Sequence, residues 1–379
     1  MGKYKGIALE SLKVNAITLI VFALLYFFCN SLFTFFSTGK DGEWLLSRYV
    51  TLKNNGRTPV YDDNVFICSI AGINSRDSIA TIIEKINSYN PMAIGCDVIF
   101  SRASGIDSLH NVHLKQAVEG NSKIIVAQRP VLDGLGRLSS VEESIFENSV
   151  AGDVTVYSDG CHSREIFIEG RKFVNFASLV AEKAVGNISY PSAEYAVNYT
   201  NRYFPVAGID DICKEDVEGK IVLLGDTEDL RDYVDIDFAV ADHRFPTTLT
   251  TSKRVAGVFL HAYTIASIVN GDWIITVPKW ISLLLGFIAS FFLCLLGKYW
   301  ALKGIPRCYF KCVHLVVFTI MIWMCYPLYL VFDIIISPLY FTIGVAMTDF
   351  SVAGLEMIRF VKAKLPKARL FKKKNNDEE

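Results

Sequence analysis

Charge is missing from long stretches of this chain. Of its 379 residues only 20% are Asp, Glu, Lys or Arg, while 51% are hydrophobic and 13% aromatic. A disordered chain is thereby excluded, because disorder goes with low hydrophobicity and high net charge. Net charge is also missing: 38 basic residues against 39 acidic leave a formal −1, which gives no support for a nucleic-acid binder. The chain has no G-x-x-x-x-G-K-[ST] phosphate loop, no H-E-x-x-H, no G-x-S-x-G and no C-x-x-C pair, and Gly134 with Gly136 does not lead from a strand into a helix. No repeat of 20–50 residues and no low-complexity segment is present. Nothing recommends an enzyme, a resident cofactor or a metal centre, and none is expected.

The uncharged runs have lengths that matter. Between Lys13 and Lys40 no charge interrupts a run long enough to cross a hydrocarbon core of about 30 Å as a helix. Phe33, Phe35 and Phe36 stand where a cleaved signal peptide would need small residues, so an uncleaved anchor at 14–39 is expected. Further uncharged runs predict spans at 279–297 and 312–332, and a fourth at 334–356 is interrupted only by Asp349. Basic residues gather before the first run, in 298–311, and in the tail 357–379 from Arg359 to Lys374. The positive-inside rule then puts residues 1–13, that loop and that tail in the cytoplasm, with 40–278 outside. The expected localisation is therefore the cytoplasmic membrane, with both termini inside. The basic tail is read first as a topology signal and a seat on inner-leaflet lipid, and otherwise as a partner-docking segment.

Residues 41–278 carry a formal −11, and the rest of the chain +10. An acidic exterior disfavours nucleic acid and anionic lipid as outer ligands. Cys68 and Cys96 fall in apolar runs and read as small core hydrophobes; a Cys161–Cys213 disulfide is one open pairing among the outer cysteines. NVFICSI at 64–70, PMAIGCDVIF ending at Phe100, KIIVAQ at 123–128 and KIVLLG at 220–225 predict buried strands. Ile79, Ile82, Ile83 and Ile86 predict a helix between the first two, which implies a parallel pair with a right-handed crossover. Phe173, Phe176, Ala177, Val180 and Ala184 mark a second helix, and Val258, Ala262, Ile265 and Val269 a last one leading into the second span. Ser139, Ser140 and Ser144 read as an exposed loop. The expected fold class is an α/β extracytoplasmic domain with a mostly parallel sheet, plus an all-α four-span membrane region.

Four strings, in order, then resemble one family. DVIFSRASGID at 97–107 is similar to its D-x-x-F-S…D segment, and SDGCHSRE at 158–165 to its D-G-x-x-R turn. EGKIVLLGDT at 218–227 is similar to its G-K-I-V-x-x-G strand, and VAGVFLHAYTIASIVNGDWI at 255–274 to its last helix, with Ala256 where Pro is usual. Residues 45–275 thus resemble the type-two CHASE domain, an extracellular sensory module with one span before it and three after. After the first strand, CSIAGINSRDS departs from the family's acidic exit and keeps only Arg76 and a nearby Ser. Only 21 residues follow Ile358, where family members often continue into an output domain. The resemblance implies a receptor-like sensor for an extracytoplasmic ligand or protein, a separate cytoplasmic effector and a homodimer or higher assembly. The alternative is a membrane anchor or assembly platform that binds envelope proteins without signalling.

Candidate ligand-binding residues are Ser101, Arg102, Asp107, Asp226 and Thr227, because open α/β sheets bind ligands at the C-terminal ends of their strands, together with Asp159 and Arg164, which the resemblance adds through its D-G-x-x-R turn. Asp97 and Asp226 could instead cap loops or helix ends. The acidic run 226–242 could hold Ca²⁺, yet it lacks the D-x-D-x-D-G…E loop and reads first as a solvated segment. His261 reads as a core histidine rather than a ligand or proton sensor. Asp349 is an intramembrane polar candidate, with snorkelling towards the inner surface as the equal alternative. A transporter component rests on Asp349 alone.

Overall fold

The structure is a computed structural model, and it describes residues 9, 11–16, 20, 50–54, 59–73, 75–100, 108–135, 137–156, 161–192, 194–199, 202–241, 243, 251–336 and 343. The chain divides into two compact units, Glu43–Ile275 and a second made of Met1–Gly42 with Thr276–Glu379.

The first unit is built on a seven-stranded sheet. Its strands are β1 (Val65–Ser69), β2 (Ala93–Cys96), β3 (Ile124–Leu132), β4 (Leu138–Glu143), β5 (Val150–Asp153), β6 (Val206–Ala207) and β7 (Ile221–Gly225). They run in the order β6-β1-β7-β2-β3-β4, and β5 also pairs with β3. Every pairing is parallel except β3 with β4. In register, Ile221 lies opposite both Val65 and Ala93, and Ile94 opposite Ile124. The four apolar runs become the four central strands because both sheet faces are covered, which leaves no exposed position for a charge.

On one face lie α1 (Arg76–Ser88) and α2 (Ser108–Glu119); on the other lie α3 (Phe176–Val185) and α4 (Gly257–Asn270). Phe66, Cys68, Ile94, Cys96, Val222 and Leu224 point towards α1 and α2 and form a single core with Ile79, Ile83, Leu114 and Val118. The alternate residues face α3: a Cβ on Gly95 would stand 3.0 Å from both Phe176 and Val180. At Gly152 in β5 the approach is closer, since a Cβ there would lie 2.5 Å from Phe176 Cα. Ser75 caps α1, and the Asn175 side chain caps α3 by accepting the Ser178 N–H at 3.1 Å.

Several expectations are corrected in detail. The second strand stops at Cys96 rather than Phe100, because its partner β7 ends at Gly225 and the Asp97 N–H makes the last ladder bond to Leu224. Phe173 lies in the strand Arg171–Val174, two residues before the Asn175 cap, so α3 begins at Phe176. Ser139 and Ser140 lie in β4 instead of a loop; the antiparallel ladder to β3 holds this polar edge strand. Ser144 Oγ donates to the Ala127 carbonyl at 3.2 Å.

In the second unit, α5 (Lys279–Leu302) and α6 (Arg307–Phe332) are joined by Lys303–Pro306, a connection shorter than the expected loop 298–311. Among the described residues one helix, Trp280–Leu302, is long and apolar enough to cross a membrane, by length and composition. The expected four-span region is not supported. Described residues of the first expected span are helical at 14–16 and 20, and the rest of that span lies outside the described residues. The fourth opens as a strand, Ile334–Ile335, where Ile335 accepts the Val277 N–H at 2.8 Å after a left-handed turn at Asp333; most of it, including Asp349, lies outside the described residues.

Candidate functional site

Parallel strands end side by side, and their exits leave a gap because the covering helices start or stop there. Beyond the C-terminal ends of β1, β7 and β2, and along β3 and β4, lies an open cleft of about 1290 Å³. Ile70 leaves β1, Asp97 to Phe100 leave β2, and Asp226 leaves β7; Arg129 and Glu142 face it from β3 and β4. Phe100 is fixed at the cleft by its N–H bond to Ser144 Oγ at 3.2 Å and by an edge contact to Phe146. The Arg76 guanidinium lies 5.8 Å from the Phe100 ring and donates to Asn111.

Asp97 lies at the junction of β2, β7 and α4. A Cβ on Gly225 would stand 2.8 Å from Val258 of α4 and 3.6 Å from the Asp97 Cβ, so the absence of a side chain at Gly225 lets the helix approach the strand end. The Asp97 side chain is 9% exposed and makes no hydrogen bond among the described residues; His261 Nε2 of α4 lies 3.7 Å from its Oδ1. Burial first, and the Asp232 charge second, push the Asp97 carboxyl well above the usual carboxylate range. His261 is pushed down to about 3 by burial, then by His162, against a backbone hydrogen bond to Val154. Near neutral pH the imidazole is therefore uncharged, and the contact is not an ion pair.

The loop after β7 supplies further acids. Asp226 Oδ1 accepts the Glu228 and Asp229 N–H groups at 2.8 and 2.9 Å, which folds the loop into a turn. Thr227 Oγ1 meets Ser69 Oγ at 2.7 Å, and the Tyr233 hydroxyl donates to the Thr227 carbonyl at 3.1 Å. Asp232 accepts the Gly257 N–H, the first of α4, through its carbonyl at 3.0 Å. Its carboxyl is raised to about 6 by partial desolvation and then by Asp226 and Asp229, while Arg129 opposes this.

The predicted site residues thus separate. Asp226 lines the cleft and Thr227 stands beside it. Ser101, Arg102, Asp107 and Asp159 lie outside the described residues. Arg164 is elsewhere: it holds Glu182 through Nε at 2.5 Å and Nη2 at 3.1 Å, contacts Glu165, and lies over the Tyr190 ring. Glu182 on α3 is a better partner than an open cleft could offer, so this arginine ties a strand to a helix. The acidic run splits. Asp226, Asp229 and Asp232 line the cleft, whereas Asp235 and Asp237 lie in β8 (Tyr233–Ala241), which pairs with β9 (Thr251–Ala256). Among the described residues no group of three or more His, Cys, Asp or Glu has the geometry to hold a metal ion. Cys213 is a free thiol whose Sγ donates to Asp216 at 2.8 Å, so the disulfide with Cys161 is not formed. Cys68 and Cys96 are buried, with thiols pushed up to about 12 by burial. Sequence reasoning missed Arg129 and Glu142, which pair across an edge ladder and carry no motif.

A family model, the CHASE2 domain, matches residues 69–297, more than half of the chain. The chain belongs to the CHASE2 domain family. CHASE2 is an extracellular sensory domain family, and the match runs from the last residue of β1 into α5, so the sheet apart from most of β1, the cleft and part of the apolar helix fall within it. No curated protein and no solved structure matches the chain.

Proposed function

We propose that this chain is a membrane-anchored sensor whose outer CHASE2 domain binds a small ligand or a protein in the cleft at the strand ends. A single observation carries the reading: an open cleft at the C-terminal rim of a parallel sheet, inside a domain of a sensory family. In this proposal four helices cross the cytoplasmic membrane, residues 41–278 lie outside and both termini lie inside. The charge segregation supports that orientation. The bound state passes to a separate cytoplasmic effector that docks on the basic tail, and the protein works as a dimer without catalysis of its own. Ligand and effector are coupled only if the ligand binds two arrangements of the helices with different affinity.

Affinity purification of the full chain in mild detergent, with and without Arg359–Glu379, tests this. A cytoplasmic kinase, cyclase, protease or nuclease recovered only with the tail is the expected result. Tail-independent recovery of envelope proteins alone would replace the sensor by an assembly platform.

A further inference from the structure

Cations around the cleft are already engaged. Arg129 donates to Glu142 through both Nε and Nη2, at 2.9 and 2.5 Å, and Arg76 is held by Asn111 and Phe100. Among the described residues, Asp97, Asp226 and Asp232 then form no ion pair with an arginine or lysine, and Asp229 meets only the exposed Arg231, at 3.5 Å. Acidic character alone would say only that a solvated surface is present. Asp97 says more, because its side chain is only 9% exposed, lines the cleft and makes no hydrogen bond among the described residues. A buried polar group without a partner costs free energy, so it points to a donor that arrives from outside the chain.

Resting on the sensor reading, we infer that the cleft binds an organic ammonium ion: the ammonium donates to Asp97 with Asp232 beside it, and an apolar body lies against Ile70, Ile73, Phe100 and Phe146. A metal ion fits less well. The described acids do not group at ligand geometry, and one Asp226 oxygen is already occupied by two amides. An ammonium needs only one or two well-placed acceptors, and the walls offer apolar surface that a bare cation would not use.

The test uses the full chain in detergent, with phenethylamine as probe and 2-phenylethanol and Ca²⁺ as controls, read by thermal shift and calorimetric titration. Phenethylamine is expected to bind saturably and raise Tm, with 2-phenylethanol and Ca²⁺ giving no comparable shift. Asp97→Asn, which keeps the shape of the side chain, is expected to weaken the amine at least tenfold, and Asp232→Asn to weaken it less. Equal responses to amine and alcohol would overturn the inference. So would undiminished binding by both variants, a larger Asp97-dependent response to Ca²⁺, or no response to any probe. If these fail while a cytoplasmic partner still co-purifies through the tail, the ammonium assignment falls and the sensor reading stands; the reverse pattern removes the sensor reading alone.

Discussion

The two ends of the parallel sheet treat buried charge in opposite ways. At the N-terminal end, Arg202 bridges Asp62 at 2.9 Å and Asp272 at 2.6 Å, and Asp62 also accepts the N–H groups of Asn64 and Val65. Asn198, buried there as well, donates to Asp272 at 2.7 Å. At the C-terminal end the Asp97 side chain is 9% exposed and has a neutral imidazole at 3.7 Å in place of an arginine. Paired ions at one end fasten α4 and the strand entrances together. Unpaired acids at the other leave bonding capacity that the fold does not use, which is what a binding site requires.

The largest effect is expected from breaking the paired end. Arg202→Leu strands two carboxylates, one of them with a 2% exposed side chain, and should cost about 3–5 kcal/mol in denaturant unfolding. Gly225→Ala attacks the cleft end through packing rather than charge. Its new methyl group must displace Val258, for a loss of about 1–3 kcal/mol, and cleft binding should weaken with it.

Acid supplies a third test. His162 is buried and held down to about 4 by desolvation, so it stays neutral in the folded chain while its unfolded counterpart protonates near 6.5. Its contribution to stability is therefore complete above pH 6.5 and is lost as pH falls towards 4. His162→Gln should remove on the order of 2 kcal/mol of that acid loss, as the difference between the two unfolding profiles from pH 7 to 4. His261 acts with the same sign, whereas Asp97 and Asp232, raised on folding, oppose it by weakening the fold as pH rises above the unfolded carboxylate value.

Asp97→Asn should run against the usual direction. Replacing a buried carboxyl, raised on folding, by a neutral amide of the same shape should stabilise the chain at pH 7.5, as denaturant unfolding would read, at the expense of cleft binding. A destabilised variant would show that Asp97 is structural, and the contrast between the two ends would vanish. The smallest effect is expected from His113→Ala on α2. The exposed imidazole contacts Asp77 at 2.5 Å and Glu84 at 3.1 Å, and those hydrogen bonds raise its pKa. Its contribution is present below the unfolded value and fades as pH rises through the folded one, so the variant should differ from the parent only in acid and low salt.

Legibility followed burial. NVFICSI and KIVLLG were readable as strands because both their faces are covered, and α1 because its isoleucines recur at helical spacing. The edge strand LSSVEE was not, since a strand with polar surface resembles a loop until its ladder partner is known. Arg164 was placed with ligand residues because a motif arginine bound to a ligand and one bound to Glu182 look alike in sequence. Asp226 and Thr227 were legible because they directly follow a recognisable strand.

What the sequence by itself determined is the order of buried strands and amphipathic helices, the segregation of charge, and the family, since each depends on neighbours along the chain. What only the tertiary structure decided is which acids are satisfied. Asp97 and His261 lie on different elements far apart in sequence, and so do Asp62 and Arg202; whether such a pair meets at 2.9 Å or stops at 3.7 Å is set by how the helices cross the sheet. Pattern carries periodicity, but hydrogen bonding falls off within a fraction of an ångström, and only packing fixes distances that finely.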